Sequence, residues 1–387
     1  MTRLHKLGIL RAMLIRQLEK TIKNSLKQGF INVIYGPRRV GKTVLLEKLI
    51  ADNPIEKTLF INGDTQEGRD VLSSTSEVIL SKLVENFSVV AVDEAQRIPN
   101  VGLSLKILID KFPDKTIYVT GSSSLMLARG VKEPLTGRSL KYKLYPLSTN
   151  EMTQSLPNFK KISVLENQLI FGGYPYLEQL NSSEDKKNYL KSIIDDYLFK
   201  DINLLKEIEF PETLKKLATL LAFQIGSIVS LNELSRNLGI DVKTVARYVS
   251  LLKQSFVIFE IGSFSKNPRK ELAKSKKYYF WDTGIRNALT DQFSAIDVRS
   301  DIGQLWKNFL AVERLKKHEY SKTLKEYFFW RSYEKAEIDW IEISEGKINP
   351  FEFKWQAKKI HTPKAFKNTY KENLEIISKE NYLEFIS

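Results

Sequence analysis

Short apolar runs punctuate the first third of the chain, and the stretches between them carry apolar residues at helical spacing. Phe30 to Tyr35 is a β-branched run that ends in Gly36-Pro37. Strand-like runs recur at Thr58 to Asn62, Ser88 to Val92, Thr116 to Thr120 and Leu140 to Tyr145. Strands alternating with helices predict a parallel sheet with helical crossovers, because parallel neighbours cannot be joined by a tight turn. After Pro146 the pattern becomes mainly helical to about residue 255. After Phe280 a helix precedes a hairpin-like pair of strands. The expected organisation is a helical lead-in over 1–28, an α/β core over 29–150, a helical lid or linker over 151–215, a helix-turn-helix over 216–265 and a C-terminal α/β zone over 266–387.

Composition narrows the chemistry. At 387 residues the chain exceeds what one core usually organises, which agrees with several zones. With 42% hydrophobic and 27% charged residues it reads as a conventional globular protein. It has no cysteine, which removes disulfides, iron–sulfur clusters and Cys-based zinc sites. His5, His318 and His361 are scattered, so any metal is expected on oxygen ligands. The longest uncharged stretch, Leu217 to Leu231, is short and interrupted by Gln224, Gly226 and Ser227, so no membrane span is expected. Without an apolar signal core at the N-terminus, the expected location is the cytoplasm. A net charge of +14 favours a polyanionic partner, nucleic acid or an anionic membrane surface, over a neutral one. The densest basic run is Lys266, Arg269, Lys270, Lys274, Lys276 and Lys277; a solvated basic surface is the alternative.

The most specific motif is Gly36-Pro37-Arg38-Arg39-Val40-Gly41-Lys42-Thr43, which fits the P-loop spacing G-x-x-x-x-G-K-[ST]. The glycines let backbone N–H groups turn inward around a β-phosphate. The lysine reaches the β- and γ-phosphates, and the threonine hydroxyl ligates magnesium. The loop follows an apolar strand and opens a helix over Thr43 to Ile50, whose positive end faces the anion. This predicts ATP and Mg2+ as ligands. Fifty residues on, Val89-Val90-Ala91-Val92 runs into Asp93-Glu94. Asp93 is expected in the magnesium shell and Glu94 at the attacking water. Ser122, in Gly121-Ser122-Ser123-Ser124 after the Thr116 to Thr120 strand, is a candidate γ-phosphate sensor, with a serine-capped turn as the alternative. Arg138 is a candidate for stabilising transferred charge, in its own subunit or a neighbouring one.

Between Ser230 and Glu260 the pattern is that of a winged helix-turn-helix. Leu231, Leu234 and Leu238 mark one helix face, Gly239 supplies the turn and Asp241 caps a second helix. There Val242, Val245, Ala246, Val249 and Leu252 form the expected buried stripe, leaving Lys243, Thr244 and Arg247 outward as candidate DNA contacts, with Phe256 to Ile261 starting a wing. A packing or lid module is the alternative. Near the C-terminus, Glu337-Ile338-Asp339-Trp340-Ile341-Glu342-Ile343 and Phe351-Glu352-Phe353-Lys354-Trp355 flank a turn at Ser344 to Lys347. Asp339 followed by Glu352-x-Lys354 matches the PD-(D/E)xK nuclease arrangement, with Glu313 on a preceding helix as a further acid. Two carboxylates at 4 Å repel by roughly 4 kcal/mol at an effective dielectric near 20, which a divalent cation on Asp339 and Glu352 would relieve. The wet face of an amphipathic strand is the alternative reading.

The order of these motifs, with Leu135-Thr136-Gly137-Arg138, Tyr145-Pro146-Leu147-Ser148, Phe171-Gly172-Gly173-Tyr174-Pro175 and Tyr279-Phe280-Trp281-Asp282-Thr283-Gly284, resembles a large prokaryotic group of AAA-type ATPases. The resemblance covers nearly the whole chain. It implies an α/β fold class with a P-loop NTPase, AAA-like parallel sheet core, a winged-helix linker and a restriction-endonuclease-like C-terminal domain. It carries over Lys42, Thr43, Asp93 and Glu94. The expected function is an ATP-binding, ATP-hydrolysing protein whose nucleotide state repositions the later zones on DNA. A protein-interaction switch and an ATP-regulated nuclease are the alternatives, and homo-oligomerisation is left open.

Overall fold

The computed structural model describes residues 15–121, 135–154, 156–195, 211–265, 275–357 and 360–387. The chain forms two compact units, residues 1–147 and 148–387. In the first, α1 (Gln17–Lys23) precedes β1 (Ile31–Tyr35), α2 (Lys42–Ile50), β2 (Thr58–Asn62), α3 (Gln66–Leu72), α4 (Glu77–Val84), β3 (Val89–Asp93), α5 (Val101–Lys111), β4 (Thr116–Gly121) and β5 (Ser139–Lys143). The five strands are all parallel in the order β2-β3-β4-β1-β5. Helical crossovers let apolar residues cover the sheet. Ile31, Val33, Val90, Val92, Ile117 and Val119 pack with Leu80, Val84, Leu105 and Leu108 in one buried cluster. Because β4 lies between β1 and β3, the carboxyl ends of those two strands are two strand spacings apart, roughly 10 Å. That gap is where the phosphate loop folds.

The second unit opens with α6 (Thr149–Thr153), α7 (Asn158–Phe171), α8 (Ser183–Ile194) and α9 (Pro211–Phe223). A short β6 (Ile228–Val229) leads into α10 (Leu231–Leu238) and α11 (Val242–Gln254), then β7 (Ile258–Ser263), β8 (Lys276–Phe280), α12 (Thr283–Thr290) and the long α13 (Ile302–Tyr320). β9 (Glu326–Arg331), β10 (Glu337–Ser344), β11 (Lys347–Phe353), α14 (Lys364–Tyr370), β12 (Glu375–Ile377) and α15 (Tyr382–Ile386) complete it. One seven-stranded mixed sheet runs through the unit in the order β12-β11-β10-β9-β7-β8-β6. The antiparallel pair β7–β8, which follows the two helices, is joined to the C-terminal strands by parallel pairing of β7 with β9. The helix-pair zone and the C-terminal zone therefore share a sheet. Trp306, Phe309, Trp340, Phe353 and Tyr279 lie in one buried cluster against it.

β10 departs from plain alternation. Ile338 pairs with Trp330 and Ile341 with Phe328, so β10 fits one more residue than β9 into the same interval, a bulge at Asp339-Trp340. Both residues are buried, as are Ile338, Ile341 and Glu342 beside them, because both faces of β10 are covered: Trp340 packs with Trp306 and Phe353, and Ile338 and Ile341 pack with Phe366. The turn to β11 is the two residues Glu345 and Gly346, with φ of 51° and 77°. Among the described residues no helix is long and apolar enough to cross a membrane.

Candidate functional site

The phosphate loop combines one glycine in its own conformational territory with one arginine held against preference. Arg39 and Gly41 adopt positive φ, 61° and 92°, and Gly41 caps α2, whose first turn carries Lys42 and Thr43. Lys42 is buried, and its Nζ donates to the carbonyls of Gly36 at 3.1 Å and Pro37 at 2.8 Å, so the ammonium is folded back over the loop. Across the gap, Asp93 ends β3 and is buried. The Thr43 hydroxyl donates to Asp93 Oδ2 at 2.7 Å. The Thr120 hydroxyl, at the tip of the intervening β4, donates to Asp93 Oδ1 and accepts the Glu94 N–H at 3.1 Å. Glu94 sits at φ 48°, and Gln96 Nε2 donates to its Oε2 at 2.5 Å. The tip of β4 and the first turn of α2 thus converge on the carboxylate at the tip of β3, beside the loop. A hydroxyl and a carboxylate oxygen at this spacing suit a hard cation such as magnesium. Thr120 carries no role in the sequence pattern beyond ending an apolar strand; its hydroxyl at a strand tip is the signal that marks it.

In the second unit Asp339 and Glu352 come together across the β10–β11 pair. The Asp339 N–H donates to Glu352 Oε2 at 3.3 Å, and the Phe353 N–H donates to Asp339 Oδ2 at 3.1 Å. Lys354 Nζ donates to Glu352 Oε1 at 2.7 Å. Two lysines absent from the sequence reading of this site join them. Lys307, from α13, donates to Asp339 Oδ1 at 2.5 Å. Lys277, from β8 and fully buried, pairs with Glu337 and lies 3.9 Å from Asp339 Oδ1. Burial and then the Asp339 charge raise the Glu352 pKa. Burial works to lower that of Lys307, but Asp339 outweighs it and the net direction is up. Glu313 is not brought to this cluster. It is buried elsewhere on α13, where it accepts from the Thr149 N–H at 2.6 Å, Gln168 Nε2 at 3.3 Å and Lys316 at 2.8 Å, and so it caps the start of α6.

Comparison with known proteins meets the first unit at this loop. Residues 28–153 match an AAA domain. Residues 162–295 match a domain of unknown function, DUF8612, and residues 302–382 match another, DUF4143. An uncharacterized protein of Mycobacterium tuberculosis is 27% identical over 345 residues, covering 88% of this chain and 73% of its own length. One from Methanocaldococcus jannaschii is 25% identical over 351 residues, 85% of this chain and 76% of that protein. Among solved structures, AMPPCP-bound DnaA from Aquifex aeolicus aligns with a TM-score of 0.31 at 16% identity, over 61% of this chain and 85% of that one. The AAA match, the parallel sheet and the loop geometry together support nucleotide binding by the first unit.

Other expected residues of the AAA unit fall differently. Ser122 lies outside the described residues. Arg138 immediately precedes β5, and its carbonyl accepts the Ile31 N–H at 2.9 Å. Ile31 opens β1, whereas the phosphate loop follows Tyr35 at the other end, roughly 15 Å along the strands. The guanidinium pairs with Asp110. Arg138 is therefore remote from its own chain's phosphate loop, and its in-cis role is set aside.

The helix pair of the second unit keeps its expected turn. Gly239, at φ 68°, ends α10, and Asp241 caps α11 by accepting from the Thr244 N–H at 2.9 Å and the Thr244 hydroxyl at 2.5 Å. The buried face of α11 is Val245, Tyr248, Val249, Leu251 and Leu252. Val242 and Ala246, expected inside, are exposed, because Tyr248 and Leu251 turn the apolar stripe away from them. Lys243 and Arg247 are exposed as expected, whereas Thr244 is half-buried and its hydroxyl is engaged with its own cap.

Proposed function

We propose that the chain is an ATP-hydrolysing AAA-type protein whose nucleotide state controls DNA binding by its second unit. The observation that carries the first half is the 2.7 Å approach of the Thr43 hydroxyl to Asp93 beside a buried Lys42. Thr43 and Asp93 are the residues that would hold magnesium, which supplies positive charge to the phosphates when bound. Lys42 exchanges the Gly36 and Pro37 carbonyls for phosphate oxygens. Glu94, with its carboxylate steadied by Gln96, orients the attacking water. The Glu94 N–H and Asp93 share Thr120 as a partner, so a displacement at the metal-side carboxylate is felt at the water-side residue.

For the second half, Lys243 and Arg247 lie four residues apart on the exposed side of α11, the arrangement by which a helix meets a major groove or its phosphates. The net charge of +14 supports the same partner. The test is ATP turnover with and without duplex and single-stranded DNA, together with DNA affinity at 50 and 200 mM salt. If about six phosphates are neutralised, affinity falls roughly a thousandfold over that range, and Lys243→Ala with Arg247→Ala flattens the slope. One observation favours a second reading, a nucleotide-controlled protein-interaction switch. Val242, 38% exposed, and Ala246 share this face, and the Thr244 hydroxyl is occupied. A flat salt response, or no DNA binding in any nucleotide state, selects it.

A further inference from the structure

The PD-(D/E)xK spacing implies a divalent cation between Asp339 and Glu352, and the donor set at that place does not suit one. Each of the four carboxylate oxygens has a positive or N–H partner. Asp339 Oδ1 takes Lys307 at 2.5 Å, and Asp339 Oδ2 takes the Phe353 N–H at 3.1 Å. Glu352 Oε1 takes Lys354 at 2.7 Å, and Glu352 Oε2 takes the Asp339 N–H at 3.3 Å. Lys277 stands 3.9 Å from Asp339 and pairs with Glu337. Three carboxylates, Glu337, Asp339 and Glu352, are thus matched by three ammonium groups, Lys277, Lys307 and Lys354. The repulsion that would call for a metal is already compensated from within. On α13, the side chain facing Asp339 is the cation Lys307, while the acid Glu313 caps α6 instead.

We infer that Lys307 is a built-in counter-ion that excludes divalent metal from the Asp339–Glu352 pair, making the nuclease-like centre a metal-free clasp. The clasp joins β8, α13, β10 and β11, and so fastens the strand pair that follows α10 and α11 to the C-terminal strands. It does not depend on the DNA reading. Burial of the groups supports it: Lys277 is 0% and Asp339 1% exposed, so water contributes little to neutralising them. Tyr279, also fully buried and close enough for Asp339 and Glu337 to raise its pKa after burial has done so, adds a neutral phenol and no ligand charge.

The test is Mn2+ binding to the full-length, nucleotide-free chain, read by electron paramagnetic resonance, for wild type, Lys307→Met, and each combined with Asp339→Asn. Wild type is expected to take up no Mn2+ that depends on Asp339. Lys307→Met, which keeps an unbranched side chain one atom shorter and removes its charge, is expected to bind Mn2+ at least ~100-fold more tightly, and Asp339→Asn abolishes the gain. Circular dichroism melts establish that each variant is folded, and Lys307→Gln substitutes if the methionine variant is not. Mn2+ uptake by wild type that disappears in Asp339→Asn or Glu352→Gln overturns the inference, as does Mn2+-dependent nicking of plasmid by wild type with the same dependence. Failure of both folded Lys307 variants to bind Mn2+ also overturns it, because Lys307 is then not what keeps the ion out.

Discussion

Gly36 and Gly41 serve the phosphate loop for different reasons, and alanine substitution separates them. A Cβ on Gly36 would lie 2.0 Å from the Leu144 carbonyl oxygen, whereas ordinary contact begins at 3.4 Å, so the two must part by about 1.4 Å. Leu144 has little room to retreat, since its N–H donates to the Tyr35 carbonyl at 2.8 Å on the strand that feeds the loop. Overpacking costs about 1–3 kcal/mol, and losing that backbone bond adds about 1 kcal/mol, giving roughly 2–4 kcal/mol for Gly36→Ala. At Gly41 a Cβ meets nothing within 4 Å, but φ is 92°. Only backbone strain is incurred there, about 1–2 kcal/mol. Urea unfolding measures both costs, and titration with a fluorescent ATP analogue measures the loop. Gly36→Ala is expected to be the more destabilising of the pair and to weaken nucleotide binding by ~10-fold or more, because relief of the clash pulls the loop from β5. Equal unfolding costs, or unchanged nucleotide affinity in Gly36→Ala, would refute the claim that close approach to Leu144 sets the loop.

Two further outcomes follow from the charged groups. Glu342 is fully buried against Arg314 and Lys325, and although burial opposes it, these partners lower its pKa from 4.5 to about 2. A depressed carboxylate stabilises the fold above its unfolded pKa and loses that contribution as pH falls, so unfolding between pH 5 and pH 2 should become easier by about 3 kcal/mol. In Glu342→Gln, chemical denaturation should show a lower starting stability and a flatter acid limb. An unchanged acid limb would remove the pair from the account. Arg138→Ala is expected to leave single-chain nucleotide affinity intact, since the residue faces the other end of the sheet. A loss of turnover confined to concentrations at which sedimentation shows self-association would assign it to a neighbouring subunit's site.

Much of the phosphate unit was legible because its signals are local. Each predicted strand lies within a residue or two of an observed one at either end, and the P-loop spacing fixes its own conformation through a few backbone angles. Long-range placement was not legible. Arg138 adjoins a motif in sequence, yet only the pairing of β5 with β1 shows that it opens the strand far from the loop. Period-two alternation puts Glu352 and Lys354 on one face of a strand, but it reveals neither the bulge at Asp339-Trp340 nor that both faces of β10 are covered. Lys307 escaped notice because a helix of 19 residues carries several lysines, and helical spacing alone does not say which meets a carboxylate from another element. A signal did exist: Lys307 sits between Trp306 and Asn308, both buried, on a helix buried around much of its circumference. The inward turn of Tyr248 and outward turn of Val242 reflect the same limit, since two apolar stripes fit the α11 sequence and packing chooses one.

In the proposed function, the loop after β1 grips a triphosphate and the acid at the tip of β3 holds its metal. Isothermal titration of MgATP into wild type and Lys42→Ala tests it most directly, with thermal melts run alongside. Saturable binding in wild type that is lost in a folded Lys42→Ala is the predicted result. Equal affinity in the two proteins, or no binding by wild type, would contradict it.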